Sequence, residues 1–129
     1  MRGLAAVAAL ALSATAEAQT YESYPVAVLG SMDKVTGRVS TLEVLVGETV
    51  AFGTLEVTAR ACRKTPPEET PESASFLQID DTRDGATERV FSGWMFASSP
   101  GVSALEHPVY DVWVLGCASE LPTAAATGE

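Results

Sequence analysis

His107 is the only histidine, with Glu106 beside it and Asp111 four residues on; Ser98, Ser99 and Ser103 lie just upstream. A hydrolase of the Ser-His-Asp kind needs nucleophile, base and orienting acid in one hydrogen-bonded series. No G-x-S-x-G elbow surrounds any of these serines. Ser98 and Ser99 precede Pro100-Gly101, where turn chemistry engages them, and Ser103 with Glu106 has the spacing of a capping box. The same histidine with Glu106 and Asp111 would offer a metal one imidazole and two carboxylates. Yet adjacent side chains diverge on most backbones, so Glu106 and His107 would not converge on one ion. The expectation is a histidine that fixes a loop by hydrogen bonds. No catalytic residue, metal ligand or cofactor is assigned.

Two further groups invite a chemical reading. Residues 80–85, D-D-T-R-D-G, gather three carboxylates before a glycine. A calcium loop places its ligands at alternate positions and ends on a bidentate Glu. That spacing is missing, and a hairpin turn at Asp84-Gly85 is expected instead. Cys62 and Cys117 are the only cysteines. Without a C-x-x-C they do not read as a redox pair, and two thiols alone cannot make a zinc site. In an oxidising compartment they form one structural bridge between strand ends, closing a loop of about 55 residues and contributing about 4 kcal/mol.

Along the chain, alternation of apolar and polar residues marks strands over residues 26–32, 39–46, 49–52, 54–62, 74–79, 87–92, 94–97 and 109–117. In residues 54–62, Leu55, Val57, Ala59 and Ala61 are expected on one face and Arg60 and Cys62 on the other. The proline- and glutamate-rich residues 64–73 read as an extended, solvated loop. Pro108 limits any helix at 103–106 to a single turn. The predicted fold class is all-β: one small antiparallel sandwich or barrel spanning residues 26–117, with at most one short helical turn and one disulfide. Residues 19–25 read as an N-terminal extension and 118–129 as a disordered tail.

Residues 1–18 have the three-part plan of a signal peptide: a positive start, an apolar run from Leu4 to Leu12, and Ala16-Glu17-Ala18 as the cleavage signal. The run is too short to span a bilayer, which takes about 20 apolar residues. Export to the periplasm is expected, with cleavage after Ala18, and a mature body of about 110 residues can bury roughly two thirds of its unfolded surface. Of 129 residues, 17 are acidic and 8 basic, for a net charge of −9. That balance excludes nucleic acid, whose phosphates require clustered Lys and Arg.

Two strands break the rule that a half-exposed strand alternates apolar with polar. In one, Trp94 and Phe96 face away from Met95; in the other, Trp113 and Leu115 oppose Tyr110, Val112 and Val114. Either both faces are covered within the chain or one meets a partner, because interface cores are enriched in Trp, Tyr, Phe and Met. Trp94, Phe96, Tyr110 and Trp113, with His107 beside them, are the candidate binding surface. A non-enzymatic interaction domain with an envelope-protein partner is the leading reading. A small-ligand or cell-wall-glycan module is the second, and a His107-dependent hydrolase or metalloprotein the third.

The block F-S-G-W-M-F-A-S-S-P-G-V-S-A-L-E-H-P-V-Y-D-V-W-V-L-G-C from Phe91 to Cys117 is distinctive. With M-D-K-V-T-G-R from Met32 and F-G-T-L-E-V from Phe52, it closely resembles a family of secreted Gram-negative proteins of unknown function. The resemblance covers residues 26–117. It implies no activity, substrate or catalytic residue. Members lie near a gene for an accessory subunit of the respiratory NADH dehydrogenase, which implies an accessory role in an envelope or respiratory complex and no mechanism.

Overall fold

Eight strands form among the residues that the computed structural model describes, which are 3, 20–100, 105 and 107–121. They are β1 (Glu22–Ser23), β2 (Val26–Asp33), β3 (Arg38–Leu45), β4 (Thr49–Phe52), β5 (Leu55–Lys64), β6 (Ser73–Arg83), β7 (Ala86–Phe96) and β8 (Tyr110–Ala118). Every pairing is antiparallel. One sheet runs β1-β5-β6-β7, with β4 sharing the outer edge of β5 beside β1; the other runs β3-β2-β8. The sheets stack as a sandwich in which β8 lies over β6 and β5. The all-β antiparallel expectation therefore holds. Among the described residues no helix is long and apolar enough to cross a membrane. Apart from Gly3 and Leu105, the leader at 1–18 and the helical turn at 103–106 lie outside the described residues, as does most of the tail.

Short-range chemistry sets the turns. Asp33 Oδ1 accepts the N–H groups of Val35 and Thr36 at 2.9 and 3.3 Å, folding the chain from β2 into β3. Between β6 and β7, Asp84 and Gly85 both take positive φ, 52° and 77°. Two consecutive left-handed residues suit a two-residue hairpin, and Asp-Gly is a preferred pair for it. The hairpin is tighter than the sequence suggests: residues 80–83 continue β6 and pair with β7. The loop after β5 also differs from expectation. It is closed, because Thr65 N–H donates to Glu72 O at 3.0 Å while Glu72 N–H donates to the Thr65 hydroxyl at 2.9 Å. Part of the extension at 19–25 is likewise a strand, since Glu22 and Ser23 pair with Lys64 and Arg63.

The core lies between the sheets. Leu55, Val57 and Ala59 of β5 and Leu77 and Ile79 of β6 meet Ala27, Leu29 and Val44 of the smaller sheet, with Val112 and Val114 of β8. Fully burying a Leu, Ile or Val side chain is worth about 1.5–3 kcal/mol. Leu105, from the long connection between β7 and β8, also enters this core.

Cys62 and Cys117 are joined by a disulfide that ties β5 to β8 across the two sheets. Strict alternation would have turned both sulfurs outward. A bulge resolves this in each strand. Pairing shifts between Ala59 and Ala61, leaving Arg60 as the extra residue, and between Val114 and Gly116, leaving Leu115 extra. A bulge inserts one residue and resets the faces. Cys62, expected opposite Leu55, Val57 and Ala59, therefore joins their inward face, and Cys117 joins Val112 and Val114.

Candidate functional site

The outer face of the larger sheet changes character along its length. Toward the β6–β7 hairpin it is a ladder of paired polar groups. The Thr49 and Thr58 hydroxyls bond each other, as do those of Thr82 and Thr87, Arg60 Nε donates to Gln78 Oε1, and Arg89 pairs with Asp80. Toward the other end it turns aromatic. Phe76 meets Trp94 edge-on with ring centroids 5.5 Å apart, and the Arg63 guanidinium lies over the Trp94 ring at 5.4 Å. Tyr21, Arg63, Ala74, Trp94 and Phe96 enclose an open cleft of about 290 Å³. Ala74, only 4% exposed, forms its floor, while Phe96 stays 37% exposed on the rim.

Alternation delivers these rings. Met95 points into the core and is buried, so its neighbours Trp94 and Phe96 must point out. The same rule acts on β8, where buried Val112 and Val114 leave Trp113 outward. Trp113 does not meet Trp94, because it belongs to the opposite side of the sandwich. Its indole lies flat on Gly30 of β2, where a Cβ would fall 2.2 Å from the ring. Half-buried Val28 and Met32 and exposed Val39, which pairs with Met32, share that outer face with it, while Leu115 at the bulge lies beside Lys64, Glu72 and Ser98.

Tyr110 and His107 occupy a third place. Tyr110 packs edge-on against Phe52, at 5.3 Å between centroids, and against the His107 ring at 5.2 Å. The five candidate residues thus fall into three groups, and only Trp94 and Phe96 share a concave surface.

His107 is buried. Its Nδ1 accepts the N–H groups of Val109 and Tyr110 at 3.0 and 3.2 Å, which places the ring proton on Nε2. Nε2 donates to Asp81 Oδ2 at 2.9 Å, and the Arg83 guanidinium sits against both, with Nε in an ion pair with the same oxygen and Nη2 2.9 Å from His107 Nε2. The Thr54 hydroxyl, and after it the His107 N–H, hold the Asp81 carboxyl below the usual carboxylate range; Arg83 adds charge attraction, and burial opposes all three. Both ring nitrogens are committed to structural bonds. Lys34 Nζ completes the anchor, donating to His107 O and pairing with Asp111 Oδ1, each at 2.9 Å.

The serines join no such series. Ser98 donates its hydroxyl to Glu72, at the far end of β6 from Asp81. Although burial raises the Glu72 carboxyl, the Ser98 hydroxyl and the N–H groups of Ser98 and Ser73 bring it below the usual range. Ser103 and Glu106 lie outside the described residues. Among those described, no cluster of three or more His, Cys, Asp or Glu side chains is arranged to hold a metal ion.

Residues 27–117 match the family described as uncharacterized protein conserved in bacteria (DUF2155). The chain belongs to this family. The match runs from β2 to the second cysteine, so the family region takes in every strand but β1 and every cleft residue except Tyr21. The chain is also similar to the uncharacterized protein RP359 of Rickettsia prowazekii (strain Madrid E), 24% identical over 98 residues. That match covers 75% of this chain and 63% of the relative, so the chain spans under two thirds of the relative's length. No solved structure matches. The family's description assigns no activity, and the reading of function rests on geometry.

Five participants escape a reading of the sequence. Tyr21, Arg63 and Ala74 line the cleft, Phe76 packs on Trp94 beside it, and Asp81 accepts the hydrogen bond of the His107 ring N–H. Phe76 carries a usable signal, since it alternates with Gln78 and Asp80 and so stands as an aromatic at an outward position. Arg63 carries none, because the bulge at Arg60 decides which way it points.

Proposed function

We propose that this protein is a non-enzymatic interaction domain of the bacterial cell envelope that docks a partner through the aromatic cleft of its larger sheet. The observation that carries the reading is the contrast on one sheet face: a saturated polar ladder at one end, and at the other a concave group of rings around Trp94 left open. Interface cores favour such rings. The leader-like first eighteen residues and the disulfide support a periplasmic location, and the commitment of both His107 nitrogens speaks against a general base there. The accessory role in an envelope or respiratory complex that the family resemblance implies is the finer form of this proposal.

The test is site-specific photo-cross-linking from Phe96 in living cells, followed by mass spectrometry of the envelope. A discrete adduct that disappears in Trp94→Ala, with unchanged protein level, is expected. A cross-linking pattern that does not change in that variant would remove the proposal. A second reading has one observation in its favour: the cleft is aromatic-walled and small, which also admits a sugar ring. Tryptophan fluorescence titrated with cell-wall fragments separates the two, and no response at millimolar glycan retires the second.

A further inference from the structure

We infer that the cleft takes an extended acidic peptide of a partner protein, with an apolar side chain seated on Ala74 between the rings and a carboxylate on Arg63. This rests on the docking reading above and specifies its chemistry.

The cations carry the argument. Lys34, Arg83 and Arg89 are in ion pairs with Asp111, Asp81 and Asp80. Arg38, Arg60, Arg63 and Lys64 form no ion pair among the described residues, although acidic residues outnumber basic ones by 17 to 8. Arg38 stands apart at the start of β3, and the other three lie in the last five positions of β5. Lys64 turns toward the Tyr24 ring, but Arg63 lines the cleft and Arg60 reaches the same outer face through Gln78. A guanidinium held over an indole keeps its N–H groups in its own plane, with their outer edge open to match a carboxylate with two parallel bonds. The apolar floor and the cationic wall therefore ask for two different groups a few ångströms apart.

An extended peptide supplies both on one short segment. A membrane surface fits less well: polybasic attachment needs several Lys or Arg, and the net charge of −9 opposes an anionic bilayer. The same charge also restricts where an acidic peptide can land. Repulsion elsewhere on the surface disfavours other sites, while the local field of Arg60 and Arg63 acts within a Debye length of about 8 Å.

The probe is the acetylated, amidated pentapeptide Thr-Glu-Phe-Glu-Thr, with Thr-Lys-Phe-Lys-Thr as its counterpart. Binding is read from Trp94 fluorescence in a Trp113→Phe background with the disulfide intact. The acidic peptide should bind saturably, at least tenfold tighter than the basic one, and more weakly as salt rises. Arg63→Lys should weaken it several-fold and Arg63→Glu abolish it; Ala74→Leu, which fills the floor, should abolish it without altering circular dichroism. Equal affinity for the two peptides, indifference to Arg63→Glu, or no binding up to millimolar peptide would overturn the inference. So would binding to phosphatidylglycerol vesicles in place of peptide. The Phe96 cross-link separates the two levels. An adduct retained in Arg63→Glu leaves docking in place and removes the acidic peptide, while loss of both adduct and peptide binding in Arg63→Glu supports the inference.

Discussion

Asp81 shows how one side chain fastens a distant loop. The ring it holds lies 26 residues further along, and through that ring the start of β8 is anchored. Removing His107 takes away one of the donors to a buried carboxylate, so His107→Ala should cost about 1–3 kcal/mol, read as a shift in the urea midpoint. Asp81→Asn tests the charge. Its folded-state carboxyl lies below the ordinary value, so on acidification the unfolded chain binds the proton first. The contribution is complete above the unfolded pKa of about 4 and drains away as pH falls through that value toward the lower folded one. Denaturation between pH 3 and 7 should show a shallower acid limb in Asp81→Asn than in the wild type. The loop-fixing role of His107 is legible from its isolation among turn residues. Its partner is not, because sequence spacing says nothing about which strand end lies above a loop.

At the scale of the strand, close approach sets the limits. Trp113 rests on the backbone of Gly30, and a methyl group there would overlap the ring. Gly30→Ala should therefore destabilise by about 1–3 kcal/mol. Trp113→Ala should cost stability alone yet abolish the penalty of Gly30→Ala, a coupling that a double-mutant cycle of urea midpoints measures directly. Additive costs would show that the indole moves aside freely. Alternation made most of both outer faces legible: Trp94 against Met95, and Trp113 against Val112 and Val114, can be read by counting residues. The count fails at Cys62. Two consecutive residues, Arg60 and Ala61, oppose the one position Phe76, and nothing in A-R-A-C announces the extra residue. The demand comes from elsewhere. Cys117 waits on the inner face of β8, and bridging the sheets requires Cys62 to face it. Propensity has a period of two, and tertiary geometry overrode it by one residue.

For the molecule as a whole, that bridge sets how much of the stability rests on one covalent link between the sheets. The sheets meet through apolar side chains, and the disulfide fixes β5 to β8 across their interface at a Cα separation of 5.8 Å. Closing a loop of this length restrains the unfolded chain by about 4 kcal/mol, against a total stability of about 5–15 kcal/mol for a domain of this kind. The double variant Cys62→Ala/Cys117→Ala should thus lose about 4 kcal/mol in urea titrations while keeping its strand signature in circular dichroism. Its slope with urea should rise, because an unbridged chain exposes more surface when it unfolds. A loss under 1 kcal/mol would mean that apolar packing alone secures the two sheets. A loss near the expected value would leave the unbridged chain about 1–11 kcal/mol of stability, so the share of molecules holding the cleft around Trp94 in place would depend on the bridge only at the low end of that range.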